Sequence, residues 1–123
     1  MPSPSQIAGS SGEAQAEAYL RTLNYQIIDH HYTCRYGEID LIALDSETLV
    51  FVEVKLRRSN KFGTAEESVN QAKQEKLIQT IENYRNEHPE YLSNNYRFDL
   101  ITINPNQSQP IRHLANLAFT SIN

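Results

Sequence analysis

Three charged residues interrupt the two most apolar stretches of this chain. Asp40 lies within EIDLIAL (38–44), and Glu53 and Lys55 lie within TLVFVEVKL (48–56). An ionised carboxylate in such a stretch is costly unless it is paired, hydrogen-bonded or bound to a metal. Glu53 and Lys55 are two apart, so in a strand they project from one face. A short hairpin through Asp45-Ser46-Glu47 sets Asp40 on the strand beside them. Two carboxylates and an ammonium converging at a sheet suit Mg²⁺ or Mn²⁺, held by carboxylates together with waters and substrate phosphate. Such an ion polarises a phosphoryl oxygen and acidifies water, while a lysine orients that water or neutralises charge developing on phosphorus. Phosphodiester hydrolysis needs these parts and no covalent nucleophile. The same residues also fit a structural ion pair at a strand edge, and the spacing D-x(12)-E-x-K does not by itself separate the two readings.

The elements that must position these residues follow from patterning. Residues 1–11 are rich in Ser and Pro and read as a flexible lead, leaving 12–123 as a single domain. From Gly12 to Leu23, helix formers with apolar Ala14, Ala16, Ala18, Tyr19, Leu20 and Leu23 predict a first helix, ended by Asn24-Tyr25. Residues 26–33, 38–44 and 48–56 predict three strands in a meander. The last of these is almost continuously apolar up to Glu53, as expected of a central strand covered on both faces. A basic loop (57–64) leads to a helix over 66–87, stopped by Pro89. YRFDLITI (96–103) alternates as a fourth strand, and the tail 111–122 is either a short helix or a covering segment. A helix between strands indicates an α/β sheet with helices packed on it.

Composition is that of an ordinary globular protein, with 39% hydrophobic and 21% charged residues in 123. That excludes wholesale disorder, and no apolar run approaches the ~20 residues that span a bilayer, so no membrane partner is expected. The N-terminus lacks the features of a secretory signal, and the lone Cys34 fits a reducing, cytoplasmic setting. Net charge is −4, which opposes a nucleic-acid partner until its distribution is considered. Segments 1–54, 55–76 and 77–123 carry −6, +3 and −1, so the basic residues gather just after the paired carboxylates. A bound cation would offset part of the acidic excess.

The segments GEAQAEAYL (12–20), GEIDLIA (37–43), LVFVEVKLR (49–57), the Lys73 region and RFDLITI (97–103) resemble the YraN family of small bacterial proteins. That family is similar in turn to the PD-(D/E)XK nucleases, which include restriction endonucleases and Holliday junction resolvases. The resemblance covers residues 9–120 in order. It implies a restriction endonuclease-like αβββαβ core, a central mixed sheet flanked by helices. It implies Asp40 and Glu53 as metal ligands, Lys55 as the catalytic lysine and Glu13 as the helix-borne acid that completes the site. Two departures stand out. The family usually has Asn-x-Arg ahead of GEID, where this chain has His31 and Thr33, and the residue two before Asp40 is Glu38 rather than the Pro frequent in the wider superfamily. Glu38 falls on Asp40's side of the strand, where it either adds charge near the metal or, as the expected role, forms a salt bridge with Arg57 or Arg35.

Arg57, Arg58 and Lys61 directly follow the lysine strand and are expected to contact phosphates. Lys73 shares a helix face with Lys76, corresponds to a lysine of the family and is expected, with those three, to contact nucleic acid near the active site. His30 and His31 are neighbours in a strand, so alternation points them apart and a shared ion is not expected. Among the seven tyrosines, Tyr19, Tyr25 and Tyr84 read as core rather than as stacking platforms for bases. The expectation is a metal-dependent nuclease acting on DNA, with branched or damaged structures as substrates. The alternative is a nuclease fold that binds nucleic acid or a partner without turnover. Monomer and homodimer stay open, with Leu114 to Phe119 the candidate interface.

Overall fold

The structure, a computed structural model, describes residues 4–57 and 71–117, with side chains for 12–57 and 72–117. The elements are α1 (Pro4–Thr22), β1 (Gln26–Cys34), β2 (Gly37–Asp45), β3 (Thr48–Leu56), α2 (Gln71–Glu87), a 3₁₀ turn (Pro89–Tyr91), β4 (Tyr96–Ile103) and β5 (Ile111–Leu114). The five strands form one mixed α/β sheet in chain order, β1-β2-β3-β4-β5. Pairing is antiparallel except between β3 and β4, which α2 connects in parallel. This arrangement is consistent with the restriction endonuclease-like core that the resemblance implies. The added feature is β5, which gives the undecided tail its form.

β3 sits at the centre because both of its faces are covered. Leu49 and Phe51 join Ile42, Leu77, Ile81, Tyr84, Phe98 and Leu100 in a core beneath α2. Val50 and Val52 join Ala16, Leu20, Leu41, Ile101 and Ile103 beneath α1. Each helix presents a stripe at helical spacing: Ala16 and Leu20 on α1, and Leu77, Ile81 and Tyr84 on α2. Tyr84 belongs to the core, and Tyr19 and Tyr25 pack at the margin of the α1 side.

Helix termini follow local rules. α1 begins at Pro4 rather than at Gly12, running back through residues expected as a flexible lead; Pro is well suited to a first turn, where its missing N–H costs nothing. At its other end Asn24 takes a left-handed φ of 67°. Tyr25 N–H donates to Leu20 O at 3.1 Å and Asn24 N–H to Arg21 O at 3.0 Å, the double closure of a Schellman cap. α2 ends at Glu87, where His88 N–H reaches back to Tyr84 O and Pro89 blocks continuation. The expected start of that helix at residue 66 lies outside the described residues.

The tail, expected as a short helix or covering segment, forms β5 instead. Leu114 and Leu117 are partly buried and pack against the α2-side core. Ala118 and Phe119 lie outside the described residues. No described helix is long and apolar enough to cross a membrane.

Candidate metal and catalytic site

The site forms where β2 and β3 part. Their ladder runs from Asp45↔Thr48 to Leu41↔Val52 and stops there. One further step of that register would set Asp40 opposite Glu53. At that point the Asp40 side chain replaces the missing backbone partner: its Oδ2 accepts the Val54 N–H at 2.7 Å. β3 keeps its support from the other side, since pairing with β4 continues to Leu56↔Ile103. The hairpin therefore delivers Asp40 beside Glu53, as its length requires.

Glu53 and Lys55 extend the row of Leu49 and Phe51 beyond the end of the α2-side core. Lys55 Nζ lies 3.2 Å from Glu53 Oε1, and Lys73 Nζ, from the first turn of α2, lies 2.8 Å from the same oxygen. Two cations thus compete for one carboxylate oxygen. Burial opposes the charge on both. For Lys55, the charge of Glu53 and the hydrogen bond to it act against burial and hold its pKa above the ordinary lysine value. For Lys73, burial prevails over Glu53 and the pKa is lowered. The other oxygen, Glu53 Oε2, is buried and has no hydrogen-bond partner.

Glu13 approaches from α1. Donor atoms of Glu13, His31 and Asp40 all lie within 4.8 Å of one another, and Glu13 Oε2 contacts His31 Nε2. His31 corrects the expectation drawn from strand alternation. Its φ is 50°, outside the strand region, and it is skipped in the β1–β2 ladder between His30↔Leu41 and Tyr32↔Ile39. Consequently both histidines reach α1, His30 to Glu17 and His31 to Glu13, four residues apart on the helix. The sequence offered one weak signal for this: His, like Asn and Asp, is enriched among residues with positive φ.

Glu38 supplies a second correction. Among the described residues no ion pair joins it to Arg35 or Arg57; Arg35 instead lies over the Tyr36 ring at 5.1 Å. Glu38 stays exposed, and its charge acts on Glu13 and Asp40. Burial first, then the charges of Glu53 and Glu38, raise the Asp40 pKa against the opposing Val54 N–H. Burial, then Asp40 and Glu38, raise that of Glu13 against the opposing His31. Carboxylate repulsion is therefore concentrated at Asp40 and Glu13, while Glu53 is balanced by two lysines.

This repulsion has a measurable sign. A carboxyl with a raised folded pKa holds its proton more tightly folded than unfolded, so its effect on stability turns unfavourable as pH rises from the ordinary values of 3.8 and 4.5 through the raised ones. Asp40→Asn removes one charge and keeps an acceptor for Val54. It is expected to raise the midpoint of thermal unfolding of the metal-free protein at pH 7 by roughly 2–5 °C. The gain should shrink toward pH 4, and a variant less stable than the wild type at pH 7 would count against carboxylate crowding.

The donor set fits a divalent cation. Asp40 and Glu13 are half-buried acids with unfavourable neighbours; Glu53, whose charge acts on Asp40, presents an unpartnered buried oxygen but lies outside the group whose donor atoms are all within 4.8 Å of one another. The charge of nearby Arg57 acts on Lys55, while Arg58 and Lys61 lie outside the described residues. Thr33 is exposed.

Residues 12–103 match the uncharacterised protein family UPF0102. The chain belongs to UPF0102. A UPF0102 protein of Stutzerimonas stutzeri is 38% identical over 120 residues, covering 97% of this chain and 99% of the relative. One from Francisella tularensis subsp. novicida is 45% identical over 97 residues, 78% of this chain and 83% of its own length. The matched span of UPF0102 includes Glu13, His31, Asp40, Glu53, Lys55 and Lys73 and ends before β5.

Proposed function

We propose that this chain is a metal-dependent nuclease of the PD-(D/E)XK type that hydrolyses phosphodiester bonds in DNA, with branched or damaged DNA as substrates. The observation that carries the reading is the parting of β2 and β3 at Asp40 and Glu53, with Lys55 in Glu53's row and Glu13 brought across from α1. Asp40, Glu53 and Glu13 would hold Mg²⁺ or Mn²⁺. When bound, the ion supplies polarisation of the scissile phosphoryl oxygen and acidification of water. Lys55 holds its proton and offers an ammonium to the attacking water and to charge growing on phosphorus. Lys73 keeps Glu53 oriented through Oε1. Arg57 extends the positive surface toward the flanking phosphate backbone.

A nuclease fold that binds nucleic acid or a partner without turnover is the second reading. It draws on the net charge of −4 and on Thr33, where an arginine would contact phosphate. The two readings separate when purified protein is incubated with linear, circular and four-way-junction DNA, in Mg²⁺ or Mn²⁺, beside Asp40→Asn. Cleavage that vanishes in Asp40→Asn supports the nuclease. Cleavage of equal rate in the variant would remove the proposed site. Junction binding without cleavage at any metal concentration would favour the silent binder.

A further inference from the structure

We infer that His31 is a direct metal ligand of this site and sets its cation preference, favouring a first-row transition ion such as Mn²⁺ over Mg²⁺. The inference rests on the metal-site reading above and goes beyond its carboxylate ligands.

Three separate segments converge here: Glu13 from α1, His31 from β1 and Asp40 from β2, their donor atoms within 4.8 Å. His31 reaches them because its backbone leaves the strand region at φ 50° and drops out of the ladder at the position facing Asp40. A regular strand would have turned the ring away from His30's side, and hence from α1. The His31 side chain is 61% exposed while Glu13 is 21% exposed, so the imidazole stands at the solvent side of a half-buried pair of acids. An ion entering from solvent meets the ring and the carboxylates together.

The chemistry of the donors then decides the ion. Mg²⁺ is hard, keeps its waters and takes oxygen ligands. A neutral imidazole nitrogen adds little for Mg²⁺ and much for first-row transition ions. Glu13, Asp40 and Glu53 without His31 form an all-oxygen set; with His31 the set is mixed nitrogen and oxygen. Mn²⁺ is the useful probe, because it accepts carboxylates as Mg²⁺ does and also binds imidazole. The competing account of the same geometry is an ion pair between His31 and Glu13 that plays no part in metal binding.

Electron spin echo envelope modulation of Mn²⁺ bound to the full chain separates these accounts, with His31→Asn and His30→Asn alongside. Asn suits the first variant because it tolerates positive φ, and circular dichroism checks that each variant is folded. The expected result is ¹⁴N modulation typical of bound imidazole in the wild type and in His30→Asn, and its absence in His31→Asn. Mn²⁺ affinity should fall about tenfold or more in His31→Asn, with Mg²⁺ affinity changed less than about twofold. Bound Mn²⁺ without nitrogen coupling in the wild type, or coupling that survives in His31→Asn, overturns His31 as the ligand and leaves the carboxylate site standing. Equal losses for both ions overturn the preference. Failure of the wild type to bind Mn²⁺ overturns this inference and the metal-site reading together.

Discussion

Replacing Asp99 by Ala is expected to destabilise the protein by about 3–5 kcal/mol, the cost of breaking a buried, paired charge network. Asp99 lies in β4, is fully buried, and is the most completely satisfied carboxylate among the described residues. Its Oδ1 accepts from Arg97 Nε at 3.0 Å and from the Asn116 N–H at 2.8 Å, and its Oδ2 accepts from His113 Nε2 at 2.7 Å. An ionised carboxylate only accepts, so His113 carries its proton on Nε2, and Nδ1 faces Tyr19 OH at 3.1 Å. Arg97 also reaches Asp45 and Tyr25. One carboxylate therefore ties α1, β2, β4 and β5 together.

Removing it leaves Arg97 with only Asp45 and Tyr25 and takes their shared acceptor from His113 Nε2 and the Asn116 N–H. Denaturant unfolding should show the loss, together with release of the β5 segment. Burial works to raise the Asp99 pKa, but His113, Arg97 and the Asn116 N–H outweigh it and lower the pKa. This stability is therefore present above the ordinary value of 3.8 and is lost as pH falls through the lower folded one. Wild type should lose stability in that acid window, and Asp99→Asn should lack that part of the loss. A destabilisation under about 1 kcal/mol for Asp99→Ala would mean that the network contributes little beyond an exposed pair.

The second large effect concerns catalysis. Under the proposed nuclease reading, Lys55→Ala is expected to lower the single-turnover rate of DNA cleavage by about 10²–10³-fold, the usual cost of removing one electrostatic donor. Mn²⁺ affinity should change little, because Asp40, Glu13 and His31 remain and Lys73 still neutralises Glu53 at 2.8 Å. Stability should fall by less than about 1 kcal/mol, since the lost pair is partly exposed. A rate within about threefold of wild type would exclude Lys55 from the chemistry, whatever the fate of the metal site.

Asp40 and Asp99 carry the same signal in the sequence: a carboxylate inside an apolar strand. The signal reports only that something must compensate the charge. At Asp99 the protein supplies every partner itself, from residues 2 to 17 positions away, and the result is structure. At Asp40 the protein supplies one backbone N–H and sets other acids nearby, the arrangement on which the proposed metal site rests. Spacing along a strand does not distinguish these outcomes, because apart from Arg97 in Asp99's own strand the partners come from other elements.

What the sequence by itself determined was local. The apolar run of residues 49–52 made β3 central, period-2 spacing put Glu53 and Lys55 on one face, and the short turn after Asp45 put Asp40 beside them. The full-length resemblance added Glu13, and membership of UPF0102 bears out the family. Tertiary structure decided the rest. Lys73 reached Glu53 because α2 crosses over the sheet, and the tail became β5 by pairing with β4, which brings His113 and Asn116 to Asp99. His31 joined the acids because one residue of β1 left the strand conformation. Each of these depends on contacts between residues far apart in the chain or on a single backbone angle, and periodicity averages over both.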